Sequence, residues 1–146
     1  MYQKLENEMI LLKSPEETVE FAEKLAKSIH APAIIYLEGP LGAGKTTFVQ
    51  GFLQGLGYEG LVKSPTYTLI ETYNVNEAVI LHADLYRIKS TYELEEMGFR
   101  DYFNSNTIAL IEWASYAKGW LPKPYILCTL KIPDNGVGRY ITMDYL

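Results

Sequence analysis

Apolar residues along this chain come in short blocks whose spacing switches between the period of a helix and that of a strand. Residues 9–12 (MILL) are a compact apolar run and predict a short strand. Residues 14–29 then place Ala22, Leu25, Ala26 and Ile29 on one helical face. Ser14 is positioned to cap that helix, Pro15 suits its first position, and Glu17 completes a capping box. Residues 33–37 (AIIYL) are nearly all apolar, as expected of a parallel strand covered on both faces. A second helix is predicted over residues 45–56, ended by Gly57 in a left-handed conformation. Gly51 and Gly55 inside it each cost about 1 kcal/mol relative to alanine, and close packing against a sheet would account for them. Strands are predicted at 67–73 and 78–86 around a polar turn at 74–77, and again at 107–113. A short helix follows Ser90 or Thr91 and stops at Gly98. Residues 125–132 and 139–146 flank PDNGVG, a hairpin signature. The sum is an α/β fold: a mixed sheet with a parallel centre, flanked by helices and closed by a C-terminal β-hairpin.

Composition narrows this picture little. The 146 residues are 48% hydrophobic and 21% charged, which suits one soluble domain spanning 1–146. The net charge of −5 leaves no basic footprint for independent nucleic-acid binding. Cys128 is the single cysteine, lies in the apolar run YILCTL, and reads as a core thiol in a reducing compartment. The start of the chain, MYQKLENEMI, lacks a signal-type apolar segment, and no run approaches the length of a membrane span. A cytoplasmic protein without a membrane partner is expected.

Chemistry enters with EGPLGAGKTTF, residues 38–48. Gly39, Gly44, Lys45 and Thr46 fit Gly-x-x-x-x-Gly-Lys-[Ser/Thr] between a predicted strand and a predicted helix. Glycines let the backbone curl so that successive N–H groups of Leu41, Gly42, Ala43, Gly44, Lys45, Thr46 and Thr47 face phosphate oxygens. The helix start adds unpaired N–H groups and the positive end of its dipole. Lys45 can then reach β- and γ-phosphates, and the Thr46 hydroxyl can bind Mg²⁺. A plain glycine turn would need neither the lysine nor the helix that follows.

Two apolar strands end in acids, at Asp84 and at Glu112, where ligands collect in parallel α/β sheets. One acid is expected to touch the metal and the other to orient a water; the residues alone leave the assignment open. Ser64, Pro65, Thr66, Tyr67 and Thr68 occupy the place of a γ-phosphate-sensing switch, though a turn entering a strand would look the same. His82 shares a strand face with Asp84 and reads as a packed core histidine, Trp113 as packing beside Glu112, and His30 as a helix-end residue. A small-molecule kinase is the first alternative, but the chain holds only Arg87, Arg100 and Arg139, too few for an arginine-rich lid. A GTP-driven switch module is the second, and no Asn-Lys-x-Asp or Thr-Lys-x-Asp segment supports it.

The pieces GPLGAGKTTF, VKSPTYTLIETY, HADLYR, ELEEMGFRDYF and IEW, in that order, resemble the TsaE (YjeE) family of bacterial P-loop ATPases across residues 10–115. The resemblance implies binding and slow hydrolysis of ATP with Mg²⁺. It implies a role in forming N6-threonylcarbamoyladenosine at position 37 of tRNA, in a complex with TsaB and TsaD through which tRNA is met only indirectly. It further implies Thr46 and Glu112 on the metal side, Asp84 supporting the active site, SPTYT as the switch, and Trp113 following the carboxylate. By the same resemblance, Ser14 and the loop around Val137 would lie near adenine. Lys45, Asp84 and Glu112 are the expected catalytic set.

Overall fold

A computed structural model describes residues 3–4 and 9–146 of the chain. The expectation about a signal segment falls mainly on residues 1–8, which, apart from 3–4, lie outside those described. The elements are β1 (Gln3–Lys4), β2 (Ile10–Leu12), α1 (Pro15–Ser28), β3 (Ala33–Glu38), α2 (Lys45–Gly55), β4 (Ile70–Val75), β5 (Ala78–Asp84), α3 (Thr91–Glu96), β6 (Thr107–Glu112), β7 (Ile126–Lys131) and β8 (Arg139–Tyr145). Short 3₁₀ turns occupy Phe99–Tyr102 and Ala114–Ala117.

The strands form one sheet in the order β1-β2-β8-β7-β3-β6-β5-β4. β3 runs parallel to both β6 and β7, and β5 runs parallel to β6. The outer pairs β4–β5, β7–β8 and β2–β8 are antiparallel. This is the mixed sheet with a parallel centre and terminal hairpin that the hydrophobic pattern predicts. It brings the carboxyl ends of β3, β6 and β5 side by side, where open α/β sheets bind ligands.

Each central strand is covered on both faces. Ile35, Leu37, Ile80, Ile108 and Leu110 pack with Ala22, Leu25, Phe48 and Phe52 of the α1–α2 pair. Leu81, Ala83, Ala109 and Ile111 face the other way, onto Leu94, Phe99 and Ala114. By strand alternation, His82, Asp84 and Glu112 therefore belong to the α1–α2 face. Cys128 is fully buried, and burial pushes its thiol up to about 12. It behaves as a core side chain. Among the described residues, no helix is long and apolar enough to cross a membrane.

The helix ends follow the local signals. Ser14 Oγ accepts the Glu17 N–H at 3.2 Å. Glu17 Oε1 reaches one residue further back than a standard capping box, accepting from Lys13 N–H at 3.0 Å. Gly57 sits at φ +95°, as expected of a left-handed helix stop.

Three expectations need correction. The strand expected at 67–73 begins only at Ile70 and runs on to Val75. Leu69 N–H folds back onto the Pro65 carbonyl at 2.8 Å and Leu69 adopts φ +67°, which turns the chain before pairing starts. The strand expected at 78–86 stops at Asp84, because Tyr86 N–H turns back to Asp84 Oδ1 at 3.0 Å. Gly51 and Gly55 do not pack on the sheet. A Cβ at Gly51 would lie 2.5 Å from the Val19 carbonyl oxygen of α1, and one at Gly55 would lie 2.5 Å from that of Glu23. The glycines face α1, and the two helices meet backbone to backbone.

That contact decides the sign of a substitution. Gly51→Ala would gain about 1 kcal/mol of helix propensity. Its methyl group has only main chain to push against, so overpacking of about 2–3 kcal/mol should win. Urea unfolding is expected to show a lower midpoint with an unchanged m-value.

Candidate functional site

The loop between β3 and α2 is built on left-handed glycines: Gly39 at φ +152°, Gly42 at +81° and Gly44 at +99°. Gly39 has a second constraint, since a Cβ there would meet the Leu130 carbonyl oxygen at 2.8 Å. Around Gly42 and Gly44 the space is open. The first helical bond in α2 runs from Phe48 N–H to the Gly44 carbonyl at 2.9 Å. The N–H groups of Lys45, Thr46 and Thr47 precede that bond and have no helical acceptor. They lie at the positive end of the helix dipole.

Lys45 is buried. Its Nζ donates to the Gly39 carbonyl at 2.6 Å, sits 3.7 Å from Glu112 Oε1, and lies 4.4 Å from the centroid of the Trp113 ring. Trp113 reaches this position because its backbone is left-handed, at φ +57°, immediately after β6 ends. Its ring packs against both Tyr86 and Tyr116, at centroid distances of 5.0 and 5.3 Å.

Asp84 and Glu112 are paired neighbours in the β5–β6 register. Both are buried. Glu112 Oε2 is 2.6 Å from His82 Nε2, while His82 Nδ1 is buried without a partner. An orphaned N–H would cost more than an orphaned lone pair, so the ring proton belongs on Nε2, donated to Glu112. Asp84 is held above the usual carboxylate range, first by burial and further by the neighbouring Glu112 charge. The Tyr86 N–H, Lys45 and His82 oppose that rise. Glu38, at the end of β3, is also raised by burial, against the pull of Lys45.

A cleft of about 310 Å³ joins these groups, lined by Leu41, Gly42, Gly44, Lys45, Thr46, Thr47, Ser64, Thr66, Asp84 and Glu112. Ser64 and Thr66 face it with their hydroxyls 2.8 Å apart. Pro65 is buried. Tyr67 and Thr68 do not line the cleft: Tyr67 is 84% exposed with the Arg87 guanidinium 4.6 Å from its ring, and Thr68 donates to Glu71 at 3.2 Å. Ala43 is a core residue whose N–H closes onto the Pro40 carbonyl at 3.1 Å.

A second cleft of about 340 Å³ opens on the other side of the loop. Ser14, Pro15 and Thr18 of the α1 start face Gly42, Gly44 and Thr47 across it, with Gly136, Gly138 and Arg139 closing the end. Val137 itself points to solvent between two lining glycines.

The donor set suits a polyphosphate. It offers free main-chain N–H groups, one buried ammonium and an open glycine surface. It also suits Mg²⁺, which takes few protein carboxylates beside phosphate oxygens and water. Among the described residues there is no cluster of three or more His, Cys, Asp or Glu that would form an all-protein metal cage. The hydroxyl of Thr46 with Glu112 or Asp84 is the donor set present. Sequence reasoning missed the His82–Glu112 bond, the left-handed backbone of Trp113, and Arg139. The first follows from adding register to strand alternation. The other two carry no local sequence signal.

Removing the buried partner of Glu112 should be felt in stability. His82→Leu keeps the apolar volume but leaves Glu112 Oε2 without its donor, at an expected cost of about 1–3 kcal/mol. Chemical denaturation of the ligand-free protein checks this.

Comparison with known proteins agrees with this architecture. The family described as "Threonylcarbamoyl adenosine biosynthesis protein TsaE" matches residues 12–141. A tRNA threonylcarbamoyladenosine biosynthesis protein TsaE of Haemophilus influenzae is 52% identical over 117 residues, covering 80% of this chain and 74% of that protein. Its Bacillus subtilis counterpart is 39% identical over 118 residues, covering 81% and 73%. The crystal structure of Bacillus subtilis YdiB superposes with a TM-score of 0.78 at 29% identity, over 100% of this chain and 88% of that one. With the family pattern running from β2 to within β8 and through every residue of both clefts, the chain belongs to the TsaE family of tRNA threonylcarbamoyladenosine biosynthesis.

Proposed function

We propose that the chain is a single-domain, Mg²⁺-dependent ATP hydrolase that supports N6-threonylcarbamoyladenosine formation at position 37 of tRNA, cycling on a complex of TsaB and TsaD. The observation that carries this reading is the buried Lys45 ammonium, set between Glu112 and a glycine loop whose following N–H groups are free. An anionic ligand with several acceptor oxygens is the partner that suits those converging donors best.

In this reading the loop N–H groups and Lys45 hold the β- and γ-phosphates. Mg²⁺, held on the side of Thr46 and Glu112, would add positive charge against the phosphate oxygens. Water attacks the γ-phosphorus in line; its O–P bond forms as the bond to the β–γ bridging oxygen breaks. Charge growing on the bridging oxygen is met by Lys45 and the loop N–H groups. Asp84, poised above the usual carboxylate range, orients the attacking water by accepting its hydrogen bond. Ser64 and Thr66 face the same cleft and can sense whether the γ-phosphate is present. The nucleoside extends into the second cleft, between Ser14 and the turn around Val137. Hydrolysis is slow in the isolated chain, and tRNA is met through the partner complex, in keeping with the net charge of −5.

Lys45→Ala should abolish ATP binding in calorimetric titration. Retention of wild-type binding and hydrolysis by this variant would refute the assignment. Mixed with TsaB, TsaD and substrate tRNA, the wild-type chain should support ATP-dependent modification and Glu112→Ala should not. Equal modification by the two would remove Glu112 from the metal-side role.

A further inference from the structure

Arg139 is the first residue of β8, paired in register with Leu12 of β2. Among the described residues, its guanidinium meets only main-chain oxygens. Nη2 donates to the Gly42 carbonyl at 3.0 Å, and Nη1 to the Gly138 carbonyl at 2.5 Å, with the Gly136 carbonyl at 3.5 Å. No carboxylate pairs with it among the described residues. One of these acceptors, Gly42, belongs to the phosphate loop and lies 97 residues away in sequence; the others belong to the hairpin turn immediately before Arg139.

The turn is fixed from its own side as well. Gly136 N–H closes onto the Pro133 carbonyl at 2.8 Å, and Asn135 Oδ1 accepts the Val137 N–H at 2.9 Å. Gly138, at φ +74°, lies so close to β2 that a Cβ would stand 2.7 Å from the Leu12 carbonyl oxygen. The arginine therefore spans two loops, one of which is anchored to the sheet. The other carries Gly42 at φ +81° with open space around it, and depends on outside contacts to keep that conformation.

We propose that Arg139 is a positioning residue that clamps the phosphate loop to the hairpin turn, so that the two walls of the second cleft are set before a nucleotide arrives. Its planar fork can hold carbonyls of both loops together, which a lysine ammonium does with less fixed geometry. The gain in binding rests on the reading of this site as a nucleotide site; the clamp itself does not. Preorganisation of this kind raises affinity by removing the ordering cost from the binding step.

The test has two arms on the full chain. In the ligand-free protein, hydrogen exchange should be at least about tenfold faster at the Ala43 and Val137 amides in Arg139→Ala, with exchange in β3 and β6 unchanged. Exchange unchanged at both amides, or faster everywhere, would overturn the clamp. In the second arm, ATP is titrated and hydrolysis is measured. Arg139→Ala should bind about tenfold more weakly, with KM raised and kcat within about twofold, and Arg139→Lys should fall between. Wild-type ATP affinity in Arg139→Ala would overturn the role in binding. If the wild-type chain binds no ATP while the exchange arm behaves as expected, the nucleotide reading fails and the clamp stands. If Arg139→Ala does not fold, Arg139→Lys decides both arms, and exchange and affinity equal to wild type would overturn the proposal.

Discussion

A lysine ammonium withdrawn from water sets the terms for the rest of this molecule. Removing such a charge from solvent costs several kcal/mol unless its surroundings repay it. Here the repayment comes from three places: the Gly39 carbonyl at the end of β3, Glu112 at the end of β6, and the face of Trp113 just beyond. The last two reach Lys45 only because β3 and β6 run parallel and in register. The topology of the sheet and the electrostatics of the site are thus one requirement.

The acids beside it are arranged to differ. Glu112 is tied to Lys45 and His82, both potential donors, whereas Asp84 has a single main-chain N–H and a neighbouring negative charge. Two carboxylates adjacent in one register are thereby given unlike surroundings, one held by side-chain donors and the other by a main-chain N–H. His82 shows how this is enforced from beneath: a core side chain by burial, it holds the orientation of a carboxylate at the surface of the cleft.

Much of this was written openly in the chain. Repeating apolar blocks gave every long strand and both long helices, because burial on two faces leaves a dense, regular signal. The glycine loop, Lys45, Asp84 and Glu112 were legible because a glycine-rich turn between strand and helix, and acids that end apolar strands, are local patterns that sheet topology then brings together. Strand starts at Ile70 and the stop at Asp84 were not, since each is decided by a single folded-back main-chain bond. Gly51 and Gly55 signal a close approach but not its partner, which is α1 rather than the sheet: a missing side chain does not say what approaches. Tyr67 and Thr68 shared a motif with Ser64 and Thr66, yet the turn at Leu69 sends them away from the cleft. Arg139 was invisible because its partner, the Gly42 carbonyl, is a main-chain atom that any residue would supply.

The seam between α1 and α2 has a mechanical meaning. Where main chain rests on main chain at Val19 and Glu23, no rotamers are left to absorb a displacement. The helix that opens at Lys45 and the helix that opens after Ser14 must then travel as one stiff beam, the floor beneath both clefts. The segment 57–69 that follows has neither helix nor strand. It is held by single contacts, such as Lys63 N–H to the Tyr73 hydroxyl and Asp84 N–H to the Leu69 carbonyl, both at 2.9 Å. A change of shape along this face therefore falls there rather than in the beam.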